Sequence, residues 1–157
     1  MARILIASVS SGMAAMEHLL AKEDEMSIAT TMAEAVAKLK EEEFDLLMIS
    51  VHFDESRMFD LMSKCKAIPK NAKMPIISFC TQDTAAMDAI HDTISGVTKL
   101  LGAWTHLDLR DSNVKRSIDA EARGVIERCL LDNERQTFDA SRRPVQENAG
   151  HLQLLPC

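Results

Sequence analysis

Five short, nearly unbroken apolar runs recur along this chain, and a segment with helical spacing follows each of them. A strand buried on one face alternates apolar with polar residues. An unbroken run needs cover on both faces, which in a single domain means a parallel sheet with helices above and below. Arg3 to Ala7 is the first run and Met26 to Thr30 the second. Leu46-Leu47-Met48-Ile49 is the most hydrophobic and belongs at the centre of the sheet. Pro75 to Phe79 is the fourth, with proline at the first strand position, where no ladder donor is required. Trp104 to Leu107, the fifth, is short.

The intervening segments read as helices. Ser8, Ser10 and Ser11 supply an N-cap for a first helix with Met13, Met16 and Leu20 inside. Thr31-Met32-Ala33-Glu34 is a capping box that opens a second helix, with Val36 and Leu39 inward and Glu41-Glu42-Glu43 in water. Val51 to Glu55 reads as a loop. Ser56 then starts a helix burying Met58, Leu61, Met62 and Cys65, which ends near Pro69. A long fourth helix, about Asp83 to Leu101, carries Met87, Ile90, Ile94, Val97 and Leu101 on one face. Asp111 or Ser112 caps the last, whose stripe is Val114, Ile118, Ala122, Val125 and Cys129. The (βα)5 order with right-handed crossovers predicts an α/β fold of the flavodoxin-like class: a three-layer sandwich with a parallel sheet ordered 2-1-3-4-5. Periodicity fades near Asn133, so the expected domain is 1–132, followed by a disordered tail over 133–157.

The balance of charges narrows the partners. A net charge of −6 argues against nucleic acid or anionic lipid. No window is long enough for a membrane span, and the start is too short an apolar run for a signal peptide. Cys65, Cys80, Cys129 and Cys157 show no C-x-x-C spacing and read as reduced thiols of a cytoplasmic protein.

Several motifs then resemble one family. Phe44-Asp45-Leu46-Leu47-Met48-Ile49-Ser50 resembles the third strand of a response-regulator receiver domain (CheY-like). Pro75-Ile76-Ile77-Ser78-Phe79-Cys80 resembles its fourth strand, and Gly102 to Leu109 its fifth; the likeness runs from Arg3 to about Asp132. In that family the third strand ends in the aspartate that accepts phosphate. An acidic pair after strand one holds Mg²⁺, a Thr or Ser ends strand four, and a switch aromatic precedes an essential lysine by three residues. Here the acidic pair falls on Ser8 and Val9, the acceptor on Ser50, the hydroxyl on Cys80, the switch aromatic on His106 and the lysine on Leu109; Lys115 is a substitute if the loop is drawn differently. Phosphoryl transfer is almost entirely electrostatic positioning. The resemblance therefore implies a degenerate pseudo-receiver in two-component signalling, one that binds protein partners or itself, needs no cofactor or metal and is not an enzyme.

Other readings compete at single sites. Ser8-Val9-Ser10-Ser11-Gly12 lies at a strand-to-helix turn and is either a plain helix start or an anion site, as in a flavin-binding flavodoxin-like protein. His52, Cys80 and His106 converge on the carboxyl ends of strands, as a reactive thiol or metal site would, or as ordinary interior residues. Asp54-Glu55 reads as a solvated loop. Trp104 and His106 are the candidate centre of a partner surface built by the long helix, strand five and the last helix; alternatively Trp104 is core.

Overall fold

Main-chain pairing assembles one five-stranded parallel sheet in the order β2-β1-β3-β4-β5. Its strands are β1 (Arg3–Ala7), β2 (Glu25–Ala29), β3 (Leu46–Ser50), β4 (Ile76–Cys80) and β5 (Thr105–Asp108). The helices are α1 (Ser10–Leu19), α2 (Met32–Glu41), α3 (Met58–Ala67), α4 (Ala85–Leu100) and α5 (Arg116–Arg142), with a 3-10 turn at Pro69–Asn71. This computed structural model describes residues 1–110 and 116–142. The expected flavodoxin-like α/β architecture is the one observed.

The apolar runs explain the layers. Along β1 and β3 successive side chains enter opposite cores. Leu5, Ala7, Leu47 and Ile49 pack with α2, α3 and Met87 of α4. Ile4, Ile6, Leu46 and Met48 pack with α1 and α5. All five residues of β3 and of β4 are buried, as central strands of a covered sheet should be. The edge strands are less protected: Met26 and Ile28 of β2 are partly exposed, and β5 has only four residues.

Local rules hold at two helix starts. Thr31 Oγ1 accepts from Glu34 N, and Glu34 Oε2 accepts from Thr30 N at 2.8 Å, a reciprocal capping arrangement. Thr84 caps α4 by accepting from Met87 N. The serine cluster does not cap α1. Val9 is its N-cap and has no polar side-chain atom to offer, and the Ser8 hydroxyl is turned back onto Val9 O.

Two further expectations are corrected. The last helix does not end near Asp132 but continues to Arg142, so 133–142 are helical rather than a disordered tail. Beyond Asn133 every helical residue is exposed, and a helix without a buried face has no apolar stripe for periodicity to reveal. Residues 143–157, and the caps Asp111 and Ser112 with Val114, lie outside the described residues. The third helix does not start at Ser56 but at Met58, because Asp54, Glu55 and Ser56 all take left-handed backbone, with φ of 41°, 58° and 65°.

Three consecutive non-glycine residues with positive φ are costly, at roughly 1 kcal/mol or more each. The run is held at its start. Phe53 is fully buried in the α2/α3 core, and Asp54 Oδ2 accepts from Met32 N at 2.8 Å, at the start of α2. Ser56 makes no comparable anchor, so Ser56→Gly is expected to stabilise the protein by about 1 kcal/mol, read as a higher urea midpoint at unchanged slope.

Candidate functional site

Ligands of open parallel sheets gather at the carboxyl ends of the strands. That end is built here from the residues following β1, β3, β4 and β5. Ser8 is fully buried; its N–H donates to Ala29 O and its hydroxyl to Val9 O at 3.0 Å, with Gly12 packed directly against it. The turn at Ser8–Gly12 thus spends its first hydroxyl internally. Ser50, also buried, accepts from the His52 N–H at 3.2 Å, so the β3 end closes on its own loop. Cys80 ends β4, fully buried, with Sγ 3.5 Å from Gln82 O, and burial pushes its thiol pKa up. A protonated thiol is a poor nucleophile and a poor metal ligand. Leu109 donates its N–H to Cys80 O at 2.8 Å and places its side chain in the α1/α5 core. The five positions named by sequence do surround one end of the sheet. They bring no carboxylate and no lysine to it; Lys115 lies outside the described residues.

Such a cleft does not fit Mg²⁺. That ion takes carboxylate and water oxygens in strict octahedral geometry. The two positions where the resemblance places an acidic pair hold an internally bonded hydroxyl and the isopropyl group of Val9. Among the described residues, no three His, Cys, Asp or Glu side chains are grouped so as to hold a metal. His52, Cys80 and His106 accordingly form no metal centre.

His106 has an internal position. In the β4–β5 register it stands opposite Ser78, on the α4 face of the sheet. Its Nδ1 lies 2.7 Å from Ser78 Oγ, and its ring meets that of His91 from α4 at 5.1 Å between centroids. Burial, and then the neighbouring His91, lower its pKa to about 4. Its Nε2 is buried with no hydrogen-bond partner. His106 therefore does not form the centre of an exposed surface. Trp104, just before β5, is 39% exposed beside a hollow of about 190 Å³ that also includes Pro75, Cys129 and Gln136. Of the two residues named together as an interface, His106 packs beside His91 of α4, and Trp104 lies at the hollow bordered by Cys129 and Gln136 of α5.

Sequence reasoning missed a charged clamp. Arg110 donates twice to Asp108, at 2.7 and 2.8 Å, and once to Asp88 Oδ1 in the first turn of α4, at 2.6 Å; Asp83 stands 4.0 Å away. These carboxylates raise the Arg110 pKa, and Arg110 in turn holds Asp108 below the usual carboxylate range. The signal was present as an arginine flanked by Asp108 and Asp111, but only the fold brings Asp88 to it. Asp54, read as solvated, instead caps α2 and lies 3.6 Å from Arg57.

No protein-family model and no curated protein matches this sequence. Solved receiver structures do match the fold. A response regulator from Hahella chejuensis aligns with a TM-score of 0.67 at 15% identity, over 85% of this chain and 98% of that one. A CheY-like receiver domain protein from Methanospirillum hungatei JF-1 gives 0.62 at 19% identity, over 87% and 98%. The receiver domain of a sensor histidine kinase from Pseudomonas aeruginosa PAO1 gives 0.59 at 14% identity, over 82% and 97%; its structure holds magnesium in the active-site cleft. At these identities the likeness is one of fold.

Proposed function

We propose that this chain is a phosphorylation-independent pseudo-receiver, a protein–protein interaction module of signal transduction without a reaction of its own. One observation carries the reading: Ser50 stands at the end of the central strand, closed onto His52 N–H, with Ser8, Val9, Cys80 and Leu109 around it and no carboxylate or lysine among them. A serine hydroxyl cannot form an acyl phosphate, and a phosphoryl group placed there would meet neither a metal site nor a neutralising ammonium. The partner is another signalling protein or a second copy, and the expected compartment is the cytoplasm. Among the described residues, no helix is long and apolar enough to cross a membrane.

Acetyl phosphate with Mg²⁺ is expected to leave the intact mass unchanged, and beryllofluoride with Mg²⁺ is expected to leave the melting curve unchanged. Ser50→Asp alone is expected to remain unlabelled, since Val9 and Leu109 still supply no charge. A gain of one phosphoryl mass in the natural sequence, lost in Ser50→Ala, would refute the reading.

A further inference from the structure

β2 is an edge strand that the fold leaves open. Among the described residues, β1 is the only strand that pairs with it. Successive residues of a strand turn their main-chain groups to opposite sides. Glu25 N–H donates to Ala2 O, and Ala29 O accepts from Ser8 N–H, so Glu25, Ser27 and Ala29 face β1. The N–H and C=O groups of Met26 and Ile28 therefore point out of the sheet. The next outward donor, Thr30 N–H, is taken by Glu34 Oε2, which closes the edge at that end. Four main-chain groups remain, on two residues whose side chains are also exposed, Met26 by 37% and Ile28 by 42%. Edges are ordinarily blunted by proline, by charge or by a bulge. Met26-Ser27-Ile28 has no proline and no charge of its own, and its register with β1 is unbroken.

The two faces of this edge differ in chemistry. The register sets Met26 beside Ile4 and Ile28 beside Ile6, on the α1/α5 side of the sheet. Ser27 faces the other way, toward α2, where Lys38 Nζ donates to its hydroxyl at 2.9 Å. Among the described residues Lys38 makes no ion pair. Glu34, one turn before it, accepts from Thr30, and Glu25 is bound by Arg3 at 3.3 Å. The edge thus offers apolar surface on one face and an uncommitted ammonium on the other.

We infer that the open edge of β2 takes up an antiparallel strand from a partner protein, with an apolar–acidic–apolar run laid across Met26, Ser27 and Ile28. The inference rests on the interaction-module reading and names the partner's chemistry. A row of free main-chain groups is matched by another extended main chain. Antiparallel pairing satisfies all four with two residues of the incoming strand, whereas the slanted parallel ladder needs three. Those two residues project beside Met26 and Ile28, where apolar side chains fit. The residue between them projects beside Ser27, next to Lys38, where a carboxylate fits. The same lysine disfavours a second copy of this chain. In the register that matches the free groups of two β2 strands, Met26 lies opposite Ile28 and Ser27 opposite Ser27, which brings the two Lys38 ammoniums together.

The probe is the peptide Thr-Val-Glu-Val-Thr, capped at both ends and titrated into the isotope-labelled full chain. Amide shifts at Met26 and Ile28 are expected to saturate with a Kd below about 1 mM. N-methylation of both valines removes the two donors that face β2 and is expected to abolish the shifts. N-methylation of the glutamate, whose N–H faces away, is expected to spare them. Lys38→Glu is expected to weaken this peptide about tenfold and to favour Thr-Val-Lys-Val-Thr, which the natural sequence binds less well. That gain also shows that the variant is folded. Absent shifts at the two amides, shifts that survive methylation of the valines, or a charge preference indifferent to Lys38→Glu each overturn the inference. So do shifts that grow with protein concentration alone, which assign the edge to a second copy. Peptide binding by a protein that acetyl phosphate labels would remove the pseudo-receiver reading and leave the β2 edge standing. A protein that is neither labelled nor bound by the peptide does the opposite.

Discussion

Phe53→Ala is expected to lower the unfolding free energy by about 3–5 kcal/mol, the range for removing a fully buried phenyl ring. For a domain whose whole stability is about 5–15 kcal/mol, that loss is large. Phe53 belongs to the loop after β3, yet it is fully buried among the residues that join β3 to α2 and α3. Its main chain is engaged at both ends: Phe53 N–H donates to Ser50 O at 3.0 Å, and Phe53 O accepts from Arg57 N at 2.8 Å. The three left-handed residues that follow have no glycine to ease them. Without the ring, that strained run loses one of the two groups that hold it, and the Asp54 cap on Met32 should loosen with it. Urea unfolding measures the first effect, and amide exchange at Met32 and Arg57 the second. Phe53→Leu, which keeps most of the apolar volume, should retain over half of the stability. A loss below about 1 kcal/mol for Phe53→Ala would mean that the loop lies outside the cooperative unit.

His106 governs the second expected effect, a loss of stability in mild acid. Its folded-state pKa of about 4 lies below the ordinary histidine value of 6.5, because charging it would place an ion under α4 beside His91. Between those two values the unfolded chain takes up a proton that the folded chain refuses. Stability from this group is therefore complete above pH 6.5 and drains away as pH falls toward 4, by on the order of 3 kcal/mol in total. Asp108, whose pKa is lowered chiefly by its bonds to Arg110, is shifted in the same direction but in a lower pH window. Its stabilisation is kept throughout this window and lost only below the ordinary carboxylate range. His106→Asn keeps an acceptor near Ser78 Oγ and removes the titration. Melting curves between pH 7 and pH 4 should fall less steeply in the variant; parallel curves would place the acid sensitivity elsewhere.

The sequence carried the architecture because burial wrote it there. Runs such as Leu46 to Ile49 and Ile76 to Phe79 cannot be solvated on either face, so their order announces the parallel sheet. The Thr31–Glu34 cap was equally legible, since both partners sit within one turn. The residue types after the strands were legible as well: Ser8, Val9, Ser50, Cys80 and Leu109 include no carboxylate and no lysine. What the sequence could not show depends on contacts between distant residues. His106 is internal because Ser78 stands opposite it and His91 comes down from α4. Arg110 is a clamp because α4 begins beside β5. Phe53 is a loop residue, as its sequence context suggests, but its burial comes from helices on either side of it in sequence and leaves no pattern around it.

The length of α5 has a mechanical consequence. Twenty-seven residues at 1.5 Å each make a rod of about 40 Å, and its last ten residues, about 15 Å, lie beyond the stripe that seats it on the sheet. Asn133 steadies the point of departure by donating to Asp45 O at 3.2 Å, and Arg142 lies over the Phe138 ring at 4.2 Å at the far end. Whatever follows Arg142 therefore sets out from a distance and a bearing fixed by helical phase. One residue inserted between 134 and 141 would advance that exit by only about 1.5 Å but rotate it by about 100°, and a second would carry it past the opposite side. Along this segment, residue count acts as an angular coordinate: a chain that tolerates substitution there would still be sensitive to insertion.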